Sequence, residues 1–155
     1  MNYLVLPWLR GPGRADGPSL LAFATRFDAT RRGTARRLLG HSGFVYWAAL
    51  GAPGCVGATL VAQPLRRRYY TLSLWEDEAS LQDFGHHPAH RRAVRSLHAA
   101  STEGILLGWW TDAAVRRPRW REVEERMASA PHGPFVGAPP RPVPGRDPSA
   151  RPAAG

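Results

Sequence analysis

The sequence predicts an α+β domain: four antiparallel strands in one sheet, with two helices on one of its faces. Three observations predict it. Strand-like and helix-like segments follow one another as strand, helix, strand, strand, helix, strand, with an extra helix at the end. The strands carry apolar residues at both parities, which asks for cover on both faces of the sheet. The longest helical segment places its apolar residues near one face and its arginines on another, the pattern of a helix laid on a sheet.

Each element has its own justification. "LLAFATRFDA" (20–29) is a strand with Leu21, Phe23, Thr25 and Phe27 on one side and Leu20, Ala22, Ala24 and Arg26 on the other. Asp28 or Thr30 can cap the helix that follows, about 31–50. In it Ala35, Leu38, Leu39, Val45, Tyr46 and Ala49 fall near one face. "GAPG" (51–54) ends that helix. "CVGATLVAQPL" is a second strand, stopped by Pro64. "RYYTLSLW" is a third, with Tyr70, Leu72 and Leu74 opposite Tyr69, Thr71, Ser73 and Trp75. "EDEASLQDF" begins a helix with acids at its positive end, and Pro88 opens a continuation over 88–99. "TEGILLGWWTD" is the fourth strand, and "RPRWREVEERMAS" the extra C-terminal helix. The order is βαββαβ, the split βαβ plan of a ferredoxin-like domain. Its second sheet face is left bare by the helices, and a bare apolar face asks for a partner, most simply a second copy closing two sheets into a barrel.

Domain limits follow from composition. Residues 19–130 hold the domain. Residues 1–18 are an N-terminal segment, an edge strand ("NYLVLPWL") and a loop. Residues 131–155 carry eight of the fifteen prolines, too little apolar matter to offset ordering entropy, and read as a Pro-rich disordered tail. The net charge is +9, and all 21 basic residues are arginine, dispersed along the chain. A lysine-free, Ala/Gly/Pro-heavy composition points to GC-rich coding, and no nucleic-acid motif accompanies the charge, so a basic nucleic-acid binder is the disfavoured class. One cysteine, Cys55, excludes an intrachain disulfide and a cysteine-rich zinc site. The N-terminus is neither a signal peptide nor a span, so the expectation is a cytoplasmic protein that does not engage a membrane.

The segment "YYTLSLWEDEASLQDFGHHPAHRRAVRSL" resembles the third strand and second helix of the dimeric α+β barrel superfamily, the antibiotic-biosynthesis-monooxygenase-like group and its heme-binding relatives. More narrowly it is similar to an uncharacterised family of small domains related to spheroidene monooxygenase. The carrying residues are Thr71, Leu72, Ser73 and Trp75 of the "TLSxW" strand, the acidic helix start, Phe84 and His90. The likeness covers about residues 19–112. It implies a homodimeric barrel and a cavity between sheet and helices that admits a small hydrophobic or aromatic metabolite. It implies several chemistries: cofactor-free oxygenation, heme binding through a histidine, cyclisation, isomerisation or plain binding. Function carried over by fold alone is associational.

The residues must therefore decide. His90, Val94 and Leu97 share one helical face, so His90 is the acid/base candidate, or the axial ligand if the cofactor is heme rather than none. The plainer alternative is a half-buried imidazole bonded to a carbonyl. His86 and His87 precede Pro88 in a non-helical junction and are expected in solvent or at a cap. No histidine pair meets an acidic third ligand, so no metal site is expected. Trp75, Phe84, Tyr46 and Ser73 are the expected ligand-binding residues; Ser73 lacks the glycines of a nucleophile elbow. Arg26, inside an apolar strand, needs a partner: Asp112, Glu103 or an anionic or carbonyl group of a ligand, which makes it the second catalytic candidate. The leading reading is a monooxygenase-like enzyme of secondary metabolism. A non-catalytic binding protein on the same scaffold and a heme-binding protein are its rivals.

Overall fold

The structure, a computed structural model, describes residues 4–29 and 32–130, and their side chains except at 32–38 and 97–103. Thr30 and the tail expected over 131–155 lie outside the described residues. The elements are β1 (Leu4–Arg10), β2 (Ser19–Ala29), α1 (Arg32–Leu50), β3 (Cys55–Gln63), β4 (Arg68–Trp75), α2 (Glu78–His86), α3 (Pro88–Ala100), β5 (Ser101–Asp112) and α4 (Trp120–Ala128). The strands form one antiparallel sheet in the order β1-β3-β4-β2-β5. The last four are the ferredoxin-like sheet. The sheet has five strands, not four, because β1 adds itself to the free edge of β3. Pro7 lies in β1 between Leu6 and Leu9, where the ladder shifts register, and an outermost strand tolerates the missing donor.

Parity decides which side chains meet. Leu21, Phe23 and Phe27 of β2 join Tyr69 and Trp75 of β4 in clusters packed against α1 and α2. Leu20, Ala22 and Ala24 join Leu72, Leu74, Ile105 and Trp109 on the other face, where Val123 and Met127 of α4 complete the cluster. The face expected to be bare is therefore covered by the chain itself. Leu20, Ala22, Ala24, Leu72, Leu74 and Trp109 are buried in a single chain, with Val56 and Leu107 partly buried beside them. The expectation fails because the apolar stripe of α4 supplies the second layer this face requires.

Local chemistry explains the connections. Gly54, at φ +75°, ends the α1–β3 turn, where an added Cβ would meet the Ser80 side chain. Gly57 lets the Trp8 indole lie flat on β3: a Cβ there would stand 2.6 Å from the ring. Asp77 caps α2, accepting from the Ser80 amide at 2.8 Å. Asp28 lies within β2 and pairs with Arg26 and Arg68. The second helical region breaks at His87, whose amide donates to the Phe84 carbonyl and whose extended ψ of 130° ends α2, with Pro88 as the first residue of α3.

Candidate functional site

Between the sheet and α1, α2 and α3 lies a cavity of about 670 Å³, within the usual range of small-molecule sites. Its floor is the helix-facing parity of β2 and β4: Phe23, Thr25 and Phe27 beside Thr71, Ser73 and Trp75. Val45 and Tyr46 of α1 form one wall, Leu81 and Phe84 of α2 another, and His90, Arg91, Val94 and Arg95 of α3 the rim.

The polar groups on the floor are engaged. The Trp75 indole N–H donates to Ser73 Oγ at 2.9 Å, and that hydroxyl donates to the Phe23 carbonyl at 3.3 Å. Ser73 Oγ thus links the Trp75 indole to the β2 backbone. Thr25 and Thr71 share a hydrogen bond of 2.5 Å between β2 and β4. The Tyr46 hydroxyl donates to the Pro7 carbonyl at 2.9 Å, tying α1 to β1, so Tyr46 offers the cavity its ring. Ser42 of α1, 1 % exposed, lines the cavity with no hydrogen-bond partner for its hydroxyl among the described residues.

His90 is the titratable group. It stacks on Phe84 with ring centroids 4.5 Å apart, and Phe84 stacks on Trp75 at 5.2 Å, a row of three rings along the wall. Its Nδ1 lies 3.2 Å from the Gly85 carbonyl, which can only accept, so Nδ1 carries the proton. The neutral ring then presents an Nε2 lone pair. Burial lowers its pKa from 6.5, the Gly85 bond opposes that, and the nearby His87 adds to the lowering. At neutral pH His90 is an uncharged base.

The expected residues divide. His90, Trp75, Phe84, Tyr46 and Ser73 all border the one cavity. Arg26 does not. β2 parity sets it on the α4 side, opposite Tyr70 and Ile105, and its guanidinium meets Asp28 at 3.3 Å; the Glu103 side chain lies outside the described residues. It is corrected from a catalytic candidate to an ion pair on the far face. His86 is the last residue of α2, not part of a non-helical junction; it is exposed, and its Nδ1 faces the Gln82 carbonyl at 2.8 Å. His87 is exposed and its Nδ1 accepts from the Ala89 amide at 3.3 Å. The side chain of Leu97, expected to share the His90 face, lies outside the described residues. Arg91 and Arg95 also border the cavity, and nothing in the sequence sets them apart from the other exposed arginines. Among the described residues no three metal-binding side chains cluster. For heme, the donor set offers Nε2 of His90 with Nδ1–H held by a carbonyl, the arrangement ligating histidines adopt.

Residues 48–96 match the family model described as antibiotic biosynthesis monooxygenase. That span runs from the end of α1 through Trp75 and Phe84 to beyond His90. Among solved structures, an antibiotic biosynthesis monooxygenase is similar at 14% identity, covering 57% of this chain and 94% of its own, with a TM-score of 0.52. A dimeric ferredoxin-like protein of unknown function from Jannaschia sp. CCS1 is similar at 19% identity, over 57% of this chain and 96% of its own, TM-score 0.51. A protein from Shewanella oneidensis is similar at 11% identity, over 71% of this chain and 97% of its own, TM-score 0.55. Identities this low carry the fold alone. No curated protein matches the sequence significantly.

Proposed function

We propose, for a chain whose residues 48–96 match the antibiotic biosynthesis monooxygenase family model, that its cavity takes up a small aromatic metabolite and that His90 deprotonates it for oxidation by O₂. The observation that supports this most is a neutral imidazole, anchored through Nδ1, at the rim of an aromatic-walled cavity. An aromatic substrate with an acidic C–H or phenolic O–H gives up that proton to Nε2. The resulting carbanion or phenolate is electron-rich enough to reduce O₂ directly, one oxygen atom entering the substrate and the other leaving as water. Phe23, Phe27, Trp75 and Phe84 hold the planar ring system and exclude water, which keeps the anion reactive.

The test uses a panel of tricyclic aromatic probes bearing an acidic methylene, with oxygen uptake as the readout. Uptake by the native protein, falling roughly 10²–10⁴-fold in His90→Ala, is the expected result. Binding of the probes with no uptake would leave a non-catalytic binding protein, the rival reading. A second reading rests on the Nδ1 anchor: His90 also suits an axial iron ligand. Heme, when bound, supplies O₂ activation itself. Protein produced with added hemin would then show a Soret band that His90→Ala removes.

A homodimer forms part of the proposal, since one structural relative is dimeric. Its contact cannot use the sheet face as it stands, because α4 occupies it.

A further inference from the structure

The rim of the cavity carries a feature the proposed chemistry does not use. Arg91 and Arg95 are four residues apart on α3, so they sit on one face, and both border the cavity and are exposed. Neither is paired with a carboxylate among the described residues: the ion pairs there join other arginines to Asp28, Glu122 and Glu125. Among the described residues no aspartate or glutamate lines the cavity. These two guanidinium groups border an apolar opening.

Resting on the reading that the cavity binds an aromatic molecule, we infer that its ligand is an aromatic carboxylic acid, the ring system inside and the carboxylate at the rim against Arg91 and Arg95. Three features converge. The interior offers aromatic walls at Phe23, Phe27, Trp75 and Phe84 with its floor hydroxyls already engaged, and Ser42 of α1 adds a single unpartnered hydroxyl among the described residues, so the body of the ligand is mostly apolar. The rim offers two forked donors of fixed charge, which match the planar geometry of a carboxylate. The neutral state of His90 adds no further positive charge, so the field that selects an anion sits at the rim and not at the base. An amphiphile of this kind would enter ring first and be held in one orientation, its far end directed at the β2–β4 floor.

The experiment compares anthracene-2-carboxylate with its neutral amide, which has nearly the same shape, by titration against the full chain at pH 8, reading Trp fluorescence quenching. The acid should bind roughly tenfold more tightly than the amide, as two partly exposed charge contacts allow. That preference should shrink with added salt and vanish in an Arg91→Gln/Arg95→Gln double variant. The exposure of both side chains makes the variant's fold safe, and its far-UV spectrum checks this. Equal binding of acid and amide by the native protein overturns the inference and leaves the aromatic cavity standing. A preference that survives in the double variant overturns the assignment to these arginines. Binding of neither probe takes down the cavity reading together with the inference.

Discussion

At the scale of single residues, burial decides chemical character. His90 is the case with functional weight. Its pKa is held below 6.5 mainly by desolvation, so its base form persists into mildly acidic solution. The unfolded chain protonates this ring first as pH falls, so stability declines from about pH 6.5 downward and levels off once the folded ring is also charged. A pH titration of histidine ring resonances should therefore show one imidazole with a midpoint under 6.5 that disappears in His90→Gln; a His90 midpoint at or above that value would refute the geometry. Cys55 shows the same force on another group. Wholly buried at the head of β3, its thiol is pushed up to about 12 by desolvation, against a weaker effect of the Gly57 backbone. It should resist a thiol-specific alkylating reagent in the native protein and react stoichiometrically in denaturant. The inward histidine was legible in sequence because its helical phase could be counted from Val94. The arginines beside it were not, since exposed arginine looks the same on a rim as on any solvated face.

At the scale of elements, strand parity carried most of the site and one error. Counting by twos from Leu21 and from Tyr69 puts Phe23, Thr25, Phe27, Thr71, Ser73 and Trp75 on one surface, and the structure gathers all six there. The same count sends Arg26 to the other surface; a role in the cavity contradicted the parity already written for it. The fifth strand was harder to read, because an edge strand with Pro7 and a register shift has neither clean alternation nor a hairpin turn to mark it. α2 depends on its cap. Asp77 accepts the Ser80 amide, and that bond holds its carboxyl below the usual range. Asp77→Ala should cost about 1 kcal/mol by denaturant titration and loosen the wall that Leu81 and Phe84 make, so aromatic ligands would bind more weakly as well. The contribution of Asp77 is present above the unfolded carboxylate pKa and fades as pH falls through the lowered folded one.

At the scale of the whole molecule, the question is what the sheet does with its second face. In a bare ferredoxin-like sheet that face must find a partner. Here α4 turns back over it: Val123 and Met127 enter the apolar cluster, Trp120 meets Tyr70 edge-on, and Arg126 lies 5.0 Å over the Trp109 ring. Met127, 3 % exposed, is a clean probe of that closure. Met127→Ala should lower stability by about 2–5 kcal/mol if α4 is an integral layer, and the loss should appear as one cooperative transition of the whole domain. A loss within a few tenths of a kcal/mol would mean that α4 rests on the sheet without being needed. Removing the helix by ending the chain before Trp120 makes the stronger demand. Ala22, Ala24, Leu72, Leu74 and Trp109 would then be left facing water together, a patch that soluble monomers rarely keep. The shortened chain should associate through that face or precipitate. Light scattering of the full and shortened chains at matched concentration therefore reports on the assembly directly. If the full chain dimerises while α4 stays packed, the contact lies elsewhere on the domain, and shortening should raise the association state further. If shortening leaves the association state unchanged and the protein soluble, α4 does not seal the sheet.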